Sequence, residues 1–494
     1  MERPAPAYRL AVRFVRGLLR IFFREIEVTG LEHVPTDRGG LFVSWHPNAL
    51  VDPCLMLARS PRSVAFGARH GLFRWPVLGQ LMRALGTVPI YRARDMSSAQ
   101  TAQRREGNRA SLDALAKHVA DGAFSALFPE GESHDEPHLT EIKTGAARLY
   151  YRARELQSTD APPPAIVPVG LHYDKKRSFR SRALVWFHPP LALPPELDRT
   201  PVPDESPGDA RQRARDLTRE IERVLHDVIH ATEDWELHRL LHRGRKLVRA
   251  ERSRRAKQDP GRPGVTERTL GFARLRKAYY HRIEIDPAGV AEVRRRVERY
   301  DDELRALGLD DHHLDRNPRL VSPWLVAVLL AQALFVFLLL PPFLIAGALV
   351  NGPAALVTAG LTAVLAARDK DVASLKLLIG AVVFPLAWAG AGILGYRASQ
   401  QLHTAFPAIP DQPWLASTIT VAIVLLSGIA SLRYVRAARE TWRATRVRLT
   451  RSLAIRSVAR LRRERAAICD RFEEMARELN LPGSVADDGT IQGP

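Results

Sequence analysis

The sequence is poor in cysteine and lacks charge over three long runs, and each absence excludes a class of protein. Cys54 and Cys469 are its two cysteines, and neither lies in a C-x-x-C pair. A disulfide framework is therefore excluded, and a reducing compartment is the simplest expectation. Residues 320–367, 377–396 and 412–432 contain no Asp, Glu, Lys or Arg. Runs of this length and composition are typical of membrane-spanning helices, so a freely soluble protein is excluded.

The rest of the composition excludes wholesale disorder, because apolar residues make up 46% of the 494-residue chain. At roughly 100–200 residues per domain, this length allows two to four structural units.

The chain carries a net charge of +19, which favours either a nucleic acid or a membrane as its partner. No zinc-ligand spacing, RNP-like aromatic block or helix-turn-helix pattern accompanies the cations. They flank the uncharged runs instead, with Arg368, Lys370 and Lys376 in one short connection and a series of arginines from Arg433 to Arg446 after the last run. This placement follows the positive-inside rule and suits anionic lipid. We therefore expect membrane lipids as partners and no nucleic acid.

The N-terminus, residues 1–29, predicts an amphipathic helix at the membrane interface. Its arginines recur at helical spacing, at Arg9, Arg13, Arg16, Arg20 and Arg24. They interrupt the apolar stretch that a signal peptide needs, so a secretory signal is excluded. A basic polar face with Leu and Phe on the other faces is typical of interfacial helices. A helix packed on its own domain is the alternative.

Residues 30–200 alternate short apolar runs with longer helical patterns, which predicts an α/β domain with a mixed, mostly parallel sheet flanked by helices. The predicted strands are 41–45, 64–68, 87–90, 125–128, 165–171 and 183–187, and the predicted helices are 97–119 and 145–156. Residues 201–319 predict charged helices with a linker near 257–265. Residues 433–481 predict a basic cytoplasmic helix, and residues 482–494 a disordered tail.

Residues 320–432 predict about four membrane-spanning helices. As one helix, the 48-residue run 320–367 would be about 70 Å long, more than twice the ~30 Å hydrocarbon core of a bilayer. It must turn, and Asn351-Gly352-Pro353 is the expected place. Four spans put both basic ends on the cytoplasmic side. We therefore expect an integral protein of the cytoplasmic membrane whose catalytic domain faces the cytoplasm.

The most informative block is Ser44–Pro53, in which a buried-type strand runs into His46, a Pro-Asn turn and Asp52. On one continuous helix the two side chains would point about 240° apart, but across a strand–turn–helix junction they can face each other. Asp52 could then orient His46 as a general base, as in a catalytic triad whose nucleophile is supplied by the substrate. A capping aspartate beside a surface histidine is the alternative.

Two further blocks place charged groups after predicted strands. Arg92 and Arg94 share one face of an extended segment, and paired guanidinium groups suit a phosphate. In the second block, an apolar strand runs into Phe-Pro-Glu-Gly, which presents Glu130 and Gly131 at a strand's carboxyl end, with Lys143 at the start of the next helix.

His134 and His138 invite a metal interpretation together with Glu130, but no third ligand has convincing spacing, so we expect no metal. A fourth block, the apolar strand 166–171, contains Pro168 and by itself says little.

Together the four blocks resemble the PlsC-type glycerophosphate acyltransferases, which include 1-acylglycerol-3-phosphate and glycerol-3-phosphate acyltransferases. That family has a His and an Asp close together, a motif with Gly and Arg, a Phe-Pro-Glu-Gly motif and a Val-Pro block, in the order found here over residues 46–171. The resemblance covers roughly residues 30–190. Three details depart from it. Five residues rather than four separate His46 from Asp52, Trp45 stands where Asn is common, and His134 replaces a frequent arginine.

The resemblance implies a mechanism and a site. His46 would take the proton of a glycerol hydroxyl that attacks the thioester of acyl-CoA or acyl carrier protein, and Asp52 would orient the imidazole. Arg92, Glu130 and Gly131 match family positions that bind the glycerophosphate. Arg94 and Lys143 are added from their charge, and Pro168 would shape the site or the acyl path. No cofactor is implied beyond the acyl donor.

The sequence leaves the acceptor open between a 1-acylated glycerophosphate and an acceptor without an acyl chain. We favour 1-acyl-sn-glycerol-3-phosphate, because it partitions into the membrane, over glycerol-3-phosphate or dihydroxyacetone phosphate. The five-residue spacing between His46 and Asp52 favours the second choice. A non-catalytic lipid-binding membrane scaffold and a metal-dependent hydrolase are the alternatives of other classes.

Overall fold

The structure, a computed structural model, describes residues 5–92, 100–158, 160–202, 204–258, 261–315 and 334–493, together with 327, 328, 330 and 331. An α/β domain comes first, with seven strands: β1 (Phe23–Thr29), β2 (Gly40–Val43), β3 (Val64–Arg69), β4 (Val88–Ile90), β5 (Phe124–Leu127), β6 (Ala165–Tyr173) and β7 (Ser181–Phe187). They form one sheet in the order β1-β7-β6-β2-β5-β3-β4, in which β6 and β7 are antiparallel and the other described pairs are parallel. The expected α/β class and mostly parallel sheet are confirmed.

Helices cover both faces of this sheet, which explains why its central strands are continuously apolar. One face carries α1 (Pro6–Phe22), α2 (Val51–Arg59) and α3 (Pro76–Ala84), and the other carries α4 (Thr101–Ala120), α5 (Gly145–Leu156) and α6 (Pro207–Val228). Successive residues of β2 serve the two faces, since Phe42 packs with α1 and α2 whereas Leu41 and Val43 pack with α4, α5 and α6.

The predicted interface segment is a helix followed by a strand. Helix α1 ends at Phe22, and residues 23–29 form β1, which pairs with β7 at the edge of the sheet. The sequence pattern does not predict this strand, because charged residues interrupt its apolar positions. One of them, Glu27, has a structural use, since its carboxylate accepts the backbone N–H groups of Val265 and Thr266 at the start of a later helix.

Helix α1 combines the two alternatives predicted for it. Val15 and Leu19 are buried against the domain, whereas Leu10, Phe14 and Ile21 are exposed. One face of the helix therefore fixes it to the sheet, and its remaining apolar residues are free to enter a membrane surface.

A helical module follows, formed by α7 (Trp235–Ala256), α8 (Val265–Ile285), α9 (Pro287–Ala306) and a C-terminal helix, Ile455–Ala476. At its centre Arg465 is fully buried. Its guanidinium group lies 3.0 Å from Glu251 Oε2 and 2.7 Å from Asp315 Oδ1, and donates to the carbonyl of Asp311 at 2.8 Å. The two ends of the chain segment that contains the membrane helices are thereby held together.

The C-terminal tail is ordered, so the prediction of disorder is wrong. Strands β8 (Ser484–Val485) and β9 (Ile491–Gln492) form a hairpin, and Arg274 of α8 donates to the carbonyls of Pro482 and Gly483. A short polar hairpin carries little periodicity, and the partner that stabilises it lies some two hundred residues earlier in the chain.

The membrane region contains α10 (Leu340–Leu365), α11 (Val372–Ala405) and α12 (Pro413–Leu453), and α13 is the C-terminal helix Ile455–Ala476 of the module. Among the described residues, three stretches are long and apolar enough to cross a membrane: Gly347–Leu365, Asp369–Ala405 and Pro413–Arg436. Residues 433–481, predicted as one basic helix, are divided between two helices. The end of α12 extends beyond its apolar part, and the chain then continues as α13 in the helical module.

The turn predicted at Asn351-Gly352-Pro353 is wrong, because α10 runs through it. The Asn351 amide donates to the carbonyls of Gly347 and Val424, and its oxygen accepts the indole N–H of Trp388. Asn351 therefore joins three membrane helices by hydrogen bonds. Proline is tolerated inside such helices because neighbouring groups satisfy the freed backbone.

The number of spans is constrained by parity. Asp315 and Arg465 are in contact, so an even number of crossings lies between them. The three apolar helices are an odd number, and residues 316–326 lie outside the described part of the chain. Four spans satisfy this condition, and that number stays a prediction.

Candidate active site

The sequence blocks meet because the strands that precede them are parallel. His46 follows β2, Arg92 follows β4 and Glu130 follows β5, while Tyr173 ends β6. The carboxyl ends of parallel strands lie at one edge of a sheet, which is where ligands of open α/β sheets bind. The grouping of these residues therefore follows from the topology.

His46 and Asp52 form the predicted pair. The distance from His46 Nδ1 to Asp52 Oδ2 is 2.8 Å, and the same oxygen accepts the backbone N–H of Asn48 at 2.7 Å. Asp52 is fully buried in the first turn of α2. The connecting turn is tight, with Ala49 at a φ of 38°, in the left-handed region that residues other than glycine rarely adopt. Since Nδ1 is held by the carboxylate, Nε2 is the nitrogen that His46 can present to a substrate.

Tyr173 completes the support of Asp52 and was missed by sequence reasoning. Its hydroxyl donates to Asp52 Oδ1, the second oxygen of the carboxylate. Burial and the neighbouring charge of Asp52 raise the pKa of Tyr173 well above its ordinary value, so the hydroxyl keeps its proton. The signal in the sequence is a tyrosine at the end of an otherwise apolar strand, and only the fold shows what it contacts.

Glu130 lies beside His46, but its carboxylate points into the protein. One oxygen, Oε2, accepts the backbone N–H of His46 at 2.8 Å, and the other accepts the N–H of Thr140 and contacts His134 Nε2. Its side chain is fully buried. The geometry thus gives Glu130 the role of fastening the Phe-Pro-Glu-Gly turn to the histidine turn, whereas the resemblance implied a substrate ligand.

Of the two histidines considered for a metal, His134 has other partners. His134 Nε2 contacts Glu130, its Nδ1 accepts the N–H of Glu136, and its ring packs edge-on against Trp45. Within the described ranges, the group of three side chains whose ligand atoms lie within 4.8 Å of one another is Asp310, His312 and His313, in the helical module. Those residues lie outside the site of His46.

The other predicted residues fall at different places. Gly131 has a φ of 75°, and a Cβ there would lie 2.9 Å from Lys143 Nζ, so glycine lets Lys143 pack across the turn. Lys143 and Arg92 both line the cleft that contains His46. Pro168 is buried in the middle of β6, paired with Val43, so it shapes the site from behind. Arg94 lies outside the described residues.

A cleft of about 2200 Å³ runs past His46 and differs at its two ends. At one end its walls come from α4, α5 and α6 and are rich in cations: Arg104, Arg105, Arg109, Arg148, Arg211 and Arg215. At the other end they come from α1, α3 and α11 and are apolar: Phe14, Leu18, Trp75, Leu78, Leu378 and Ala381. The ring of His46 lies between the two, stacked on Phe128 at 4.1 Å.

The connection between α10 and α11 and the first turn of α11 contact this site. The sequence does not predict this contact. Ser374 Oγ accepts the backbone N–H of Leu50, in the turn between His46 and Asp52, at 3.0 Å. The backbone N–H of Lys370 donates to Asp135 Oδ2 at 3.0 Å, and its ammonium group to the carbonyl of Ser133. The cations in this connection were attributed to membrane orientation, yet Lys370 holds the segment after the Phe-Pro-Glu-Gly turn.

Comparison with known proteins agrees with this geometry. Residues 25–172 match the Acyltransferase family, and residues 266–481 match the glycerol-3-phosphate acyltransferase 2 C-terminal domain. Residues 25–172 are thus an acyltransferase domain of the PlsC-like family. The expected family is thereby confirmed, and the second match shows that the acyltransferase domain is joined to a helical and membrane region that has a family of its own.

The curated relatives include acyltransferases named for two different glycerophosphate acceptors. Glycerol-3-phosphate O-acyltransferases 2 and 1 of Saccharomyces cerevisiae are 27% and 28% identical, over 42% and 40% of this chain and 26% and 24% of theirs. A chloroplastic 1-acyl-sn-glycerol-3-phosphate acyltransferase of Arabidopsis thaliana is 30% identical over 25% of this chain and 32% of that protein. The chain thus spans about a quarter to a third of the length of these relatives.

A solved structure of 1-acyl-sn-glycerophosphate acyltransferase, PlsC, from Thermotoga maritima is also similar. It has 17% sequence identity and a TM-score of 0.29, over 44% of this chain and 79% of that chain.

Proposed function

We propose that this acyltransferase transfers an acyl group from a thioester donor to glycerol-3-phosphate. The observation that carries the proposal is the His46–Asp52 pair at the centre of a cleft with one cationic and one apolar end. A general base and a hydroxyl supplied by the substrate are sufficient for acyl transfer. The cationic end suits a phosphate, and the apolar end suits an acyl chain.

Glycerol-3-phosphate replaces the 1-acylated acceptor that we favoured from the sequence. Two observations support the change. Residues 266–481 match a domain described for a glycerol-3-phosphate acyltransferase, and two curated relatives are named for that acceptor. The match to the 1-acyl-sn-glycerol-3-phosphate acyltransferase covers a smaller share of the chain. The 1-acylated compound is the second candidate.

The geometry supports the following steps for the transfer. His46 Nε2 takes the proton of the acceptor hydroxyl, whose oxygen attacks the thioester carbonyl and forms a tetrahedral intermediate. The C–S bond then breaks, the imidazolium returns its proton to the thiolate, and the ester and free thiol leave. Asp52 fixes the tautomer of His46 and stabilises the imidazolium. Asn48 and Tyr173 hold Asp52 by hydrogen bonds to its two oxygens.

The cations of the cleft bind the anionic parts of the substrates. Arg92 and Lys143 lie on the same cleft as His46 and are the candidates for the phosphate of the acceptor. Both act through charge and donated hydrogen bonds, so neither requires a metal. We place the reaction at the cytoplasmic face of the cytoplasmic membrane, where acyl-CoA and acyl carrier protein are available.

Acyl transfer by the full-length protein in membranes tests the proposal. Labelled acyl-CoA is offered with glycerol-3-phosphate or with 1-acylglycerol-3-phosphate, with and without chelator. We compare wild type with His46→Ala and with His281→Ala, a control at an exposed histidine of α8. We expect transfer to glycerol-3-phosphate that falls by about 10²–10⁴-fold in the His46 variant alone, the usual contribution of a general base.

The other outcomes separate the alternatives. Transfer only to the 1-acylated compound would replace the acceptor, and transfer that survives loss of His46 would overturn the mechanism. Absence of transfer to either compound would favour a scaffold. Chelator-sensitive hydrolysis that needs no acyl donor would favour the hydrolase.

A further inference from the structure

We propose that the membrane-spanning helix α11 forms one wall of the acyl-chain site, so that the acyl chain lies along this helix and its preferred length is set there. The proposal rests on the proposed function, since it assumes an acyl donor. It goes beyond that function in assigning substrate contacts to a helix that the sequence suggests is only an anchor.

The first observation is the continuity of the cleft. Four residues of α11 line the cleft that contains His46: Leu377, Leu378, Ala381 and Val382. At about 100° per residue, these positions fall within one arc of about 140° on the helix. One face of α11 is therefore turned to the cleft, and this face is apolar.

The second observation is the opposite wall. It is formed by Phe14 and Leu18 of α1, Leu57 of α2, Trp75 just before α3 and Leu78 within α3, so this wall is apolar too. The other end carries the arginines of α4, α5 and α6. An acyl thioester has the matching polarity, with an apolar tail and an anionic carrier joined at the carbonyl that reacts. With that carbonyl beside His46, the tail lies at the end bounded by α11.

The third observation is where this end opens. Helix α11 begins on the acyltransferase domain, with Ala373 fully buried in the core formed by α1 and α2, and continues as a candidate span to Ala405. On the same cleft, Trp75 just before α3 and Val77 within it are exposed, at 56% and 77% accessible. An exposed apolar surface next to the entry of a spanning helix is typical of a membrane interface. The tail can thus pass between the cleft and the bilayer along α11 without crossing water.

The open end of this groove limits the length of the acyl chain that can bind. Leu377 is buried, Ala381 is partly buried, and Val382, which is 58% accessible, lies at the open end. A small residue at 381 leaves room for the chain to continue toward the bilayer. A large side chain at that position would close the groove to long chains and leave the reaction centre unchanged.

The test compares donors of two lengths on the full-length protein in lipid vesicles. The ratio of kcat/KM for a sixteen-carbon to an eight-carbon acyl-CoA is measured with glycerol-3-phosphate for wild type and Ala381→Trp. The control is Ala389→Trp, the same substitution at an exposed position of α11 that lies outside the lining of the cleft. Because each ratio is taken on one protein preparation, the amount of folded enzyme cancels.

We expect the ratio to fall by about tenfold or more in Ala381→Trp, since a pocket distinguishes single methylenes by ~10–200-fold, and to stay unchanged in Ala389→Trp. Val382→Phe, at the more exposed position, is a second variant that is less demanding for folding. It is expected to lower the ratio by a smaller factor.

An unchanged ratio in both Ala381→Trp and Val382→Phe would overturn the proposal, as would an equal fall in the Ala389→Trp control. If Ala381→Trp does not accumulate in membranes, the ratio measured for Val382→Phe is the test, and an unchanged ratio in that variant would overturn the proposal. Wild-type protein that transfers neither chain would instead contradict the proposed function, so the two failures are distinguishable.

Discussion

At the scale of single residues, both oxygens of Asp52 are occupied, which leaves its carboxylate no freedom to rotate. Oδ2 contacts His46 and the backbone N–H of Asn48, and Oδ1 accepts the Tyr173 hydroxyl. A hydrogen bond to a charged group contributes about 1.5–3 kcal/mol when its partner is buried. Tyr173 therefore acts on catalysis through Asp52, as a positioning residue.

We predict that Tyr173→Phe lowers kcat by about tenfold and leaves KM for both substrates within about a factor of two. The expected size corresponds to the loss of one charge-assisted hydrogen bond of about 1.5 kcal/mol, the lower end of that range. Steady-state kinetics of purified protein measure both constants. Tyr8→Phe is the matched control, since its hydroxyl bonds to the backbone of Val64, away from His46. Equal kcat values for wild type and Tyr173→Phe would contradict the positioning role.

The sequence predicts the reacting pair but not its support. His46 and Asp52 are six positions apart, so a single turn brings them together, and local patterning is sufficient to suggest it. Tyr173 lies 121 positions from Asp52, and its contact depends on the pairing of β6 beside β2. Glu130 was placed correctly after β5, but the direction of its carboxylate depends on the backbone N–H of His46 in another loop and on that of Thr140, ten residues farther along its own loop.

At the scale of secondary-structure elements, a cluster of partly buried histidines joins the sheet to the helical module. His172 and His188 lie at the end of β6 and just after β7, His230 in the turn between α6 and α7, and His238 and His242 on α7. The rings of His172 and His230 stack at 5.4 Å, and those of His238 and His242 lie 4.8 Å apart. Burial lowers the pKa of His188 and of His238 to about 4 and that of His230 to about 3.

We predict that this junction loses stability in mild acid. Each histidine has a pKa near 6.5 in the unfolded chain and a lower pKa in the folded protein, so protons bind preferentially to the unfolded state. The stabilisation is complete above about pH 6.5 and declines as the pH falls toward 4, by about 2 kcal/mol at pH 5 for each of His188, His230 and His238. Arg276, which lies near His226 and His230, adds to the cost of protonation.

Thermal unfolding of the purified protein at pH 7.5 and pH 5 measures this effect. His238→Asn is expected to reduce the loss of Tm between the two pH values, whereas His281→Asn, at an exposed histidine of α8, is expected to leave it unchanged. An equal loss in the three proteins would show that other groups cause the acid sensitivity.

The elements themselves differ in how far the sequence determines them. The strands β2, β3, β5, β6 and β7 are short apolar runs buried on both faces, and all were predicted. Strand β1 was assigned to the preceding helix, because the charges in it are used at the sheet edge and at the start of α8. Asn351-Gly352-Pro353 has the composition of a turn, but the membrane partners of Asn351 keep it helical.

At the scale of the whole molecule, the membrane region is attached to the acyltransferase domain at the catalytic turn. Ser374 accepts the N–H of Leu50, and Leu377 packs with α1 and α2. This contact joins residues 324 positions apart. Charge and hydropathy predict that a membrane region exists, but they carry no information on which loop it touches.

We predict that Ser374→Ala lowers kcat by about tenfold or more in a protein that still inserts normally. The variant removes only the hydroxyl oxygen, and it leaves the N–H of Leu50 without its acceptor beside the His46–Asp52 pair, a cost of about 1–3 kcal/mol. The measurements are kcat and protease protection in membranes. The control is Ser431→Ala in α12, where the lost bond is to Ser427 of the same helix. Wild-type kcat in Ser374→Ala would show that the docked start of α11 is only an anchor.

The attachment of α11 to the catalytic turn has a mechanical consequence. With 34 residues, α11 is about 51 Å long, whereas the hydrocarbon core is about 30 Å thick. Such a helix adapts to a thicker or thinner bilayer by changing its tilt. Here the end that tilts is hydrogen-bonded to the turn that holds His46 and Asp52. A change in the tilt of α11 therefore pulls, through this hydrogen bond, on the turn between His46 and Asp52.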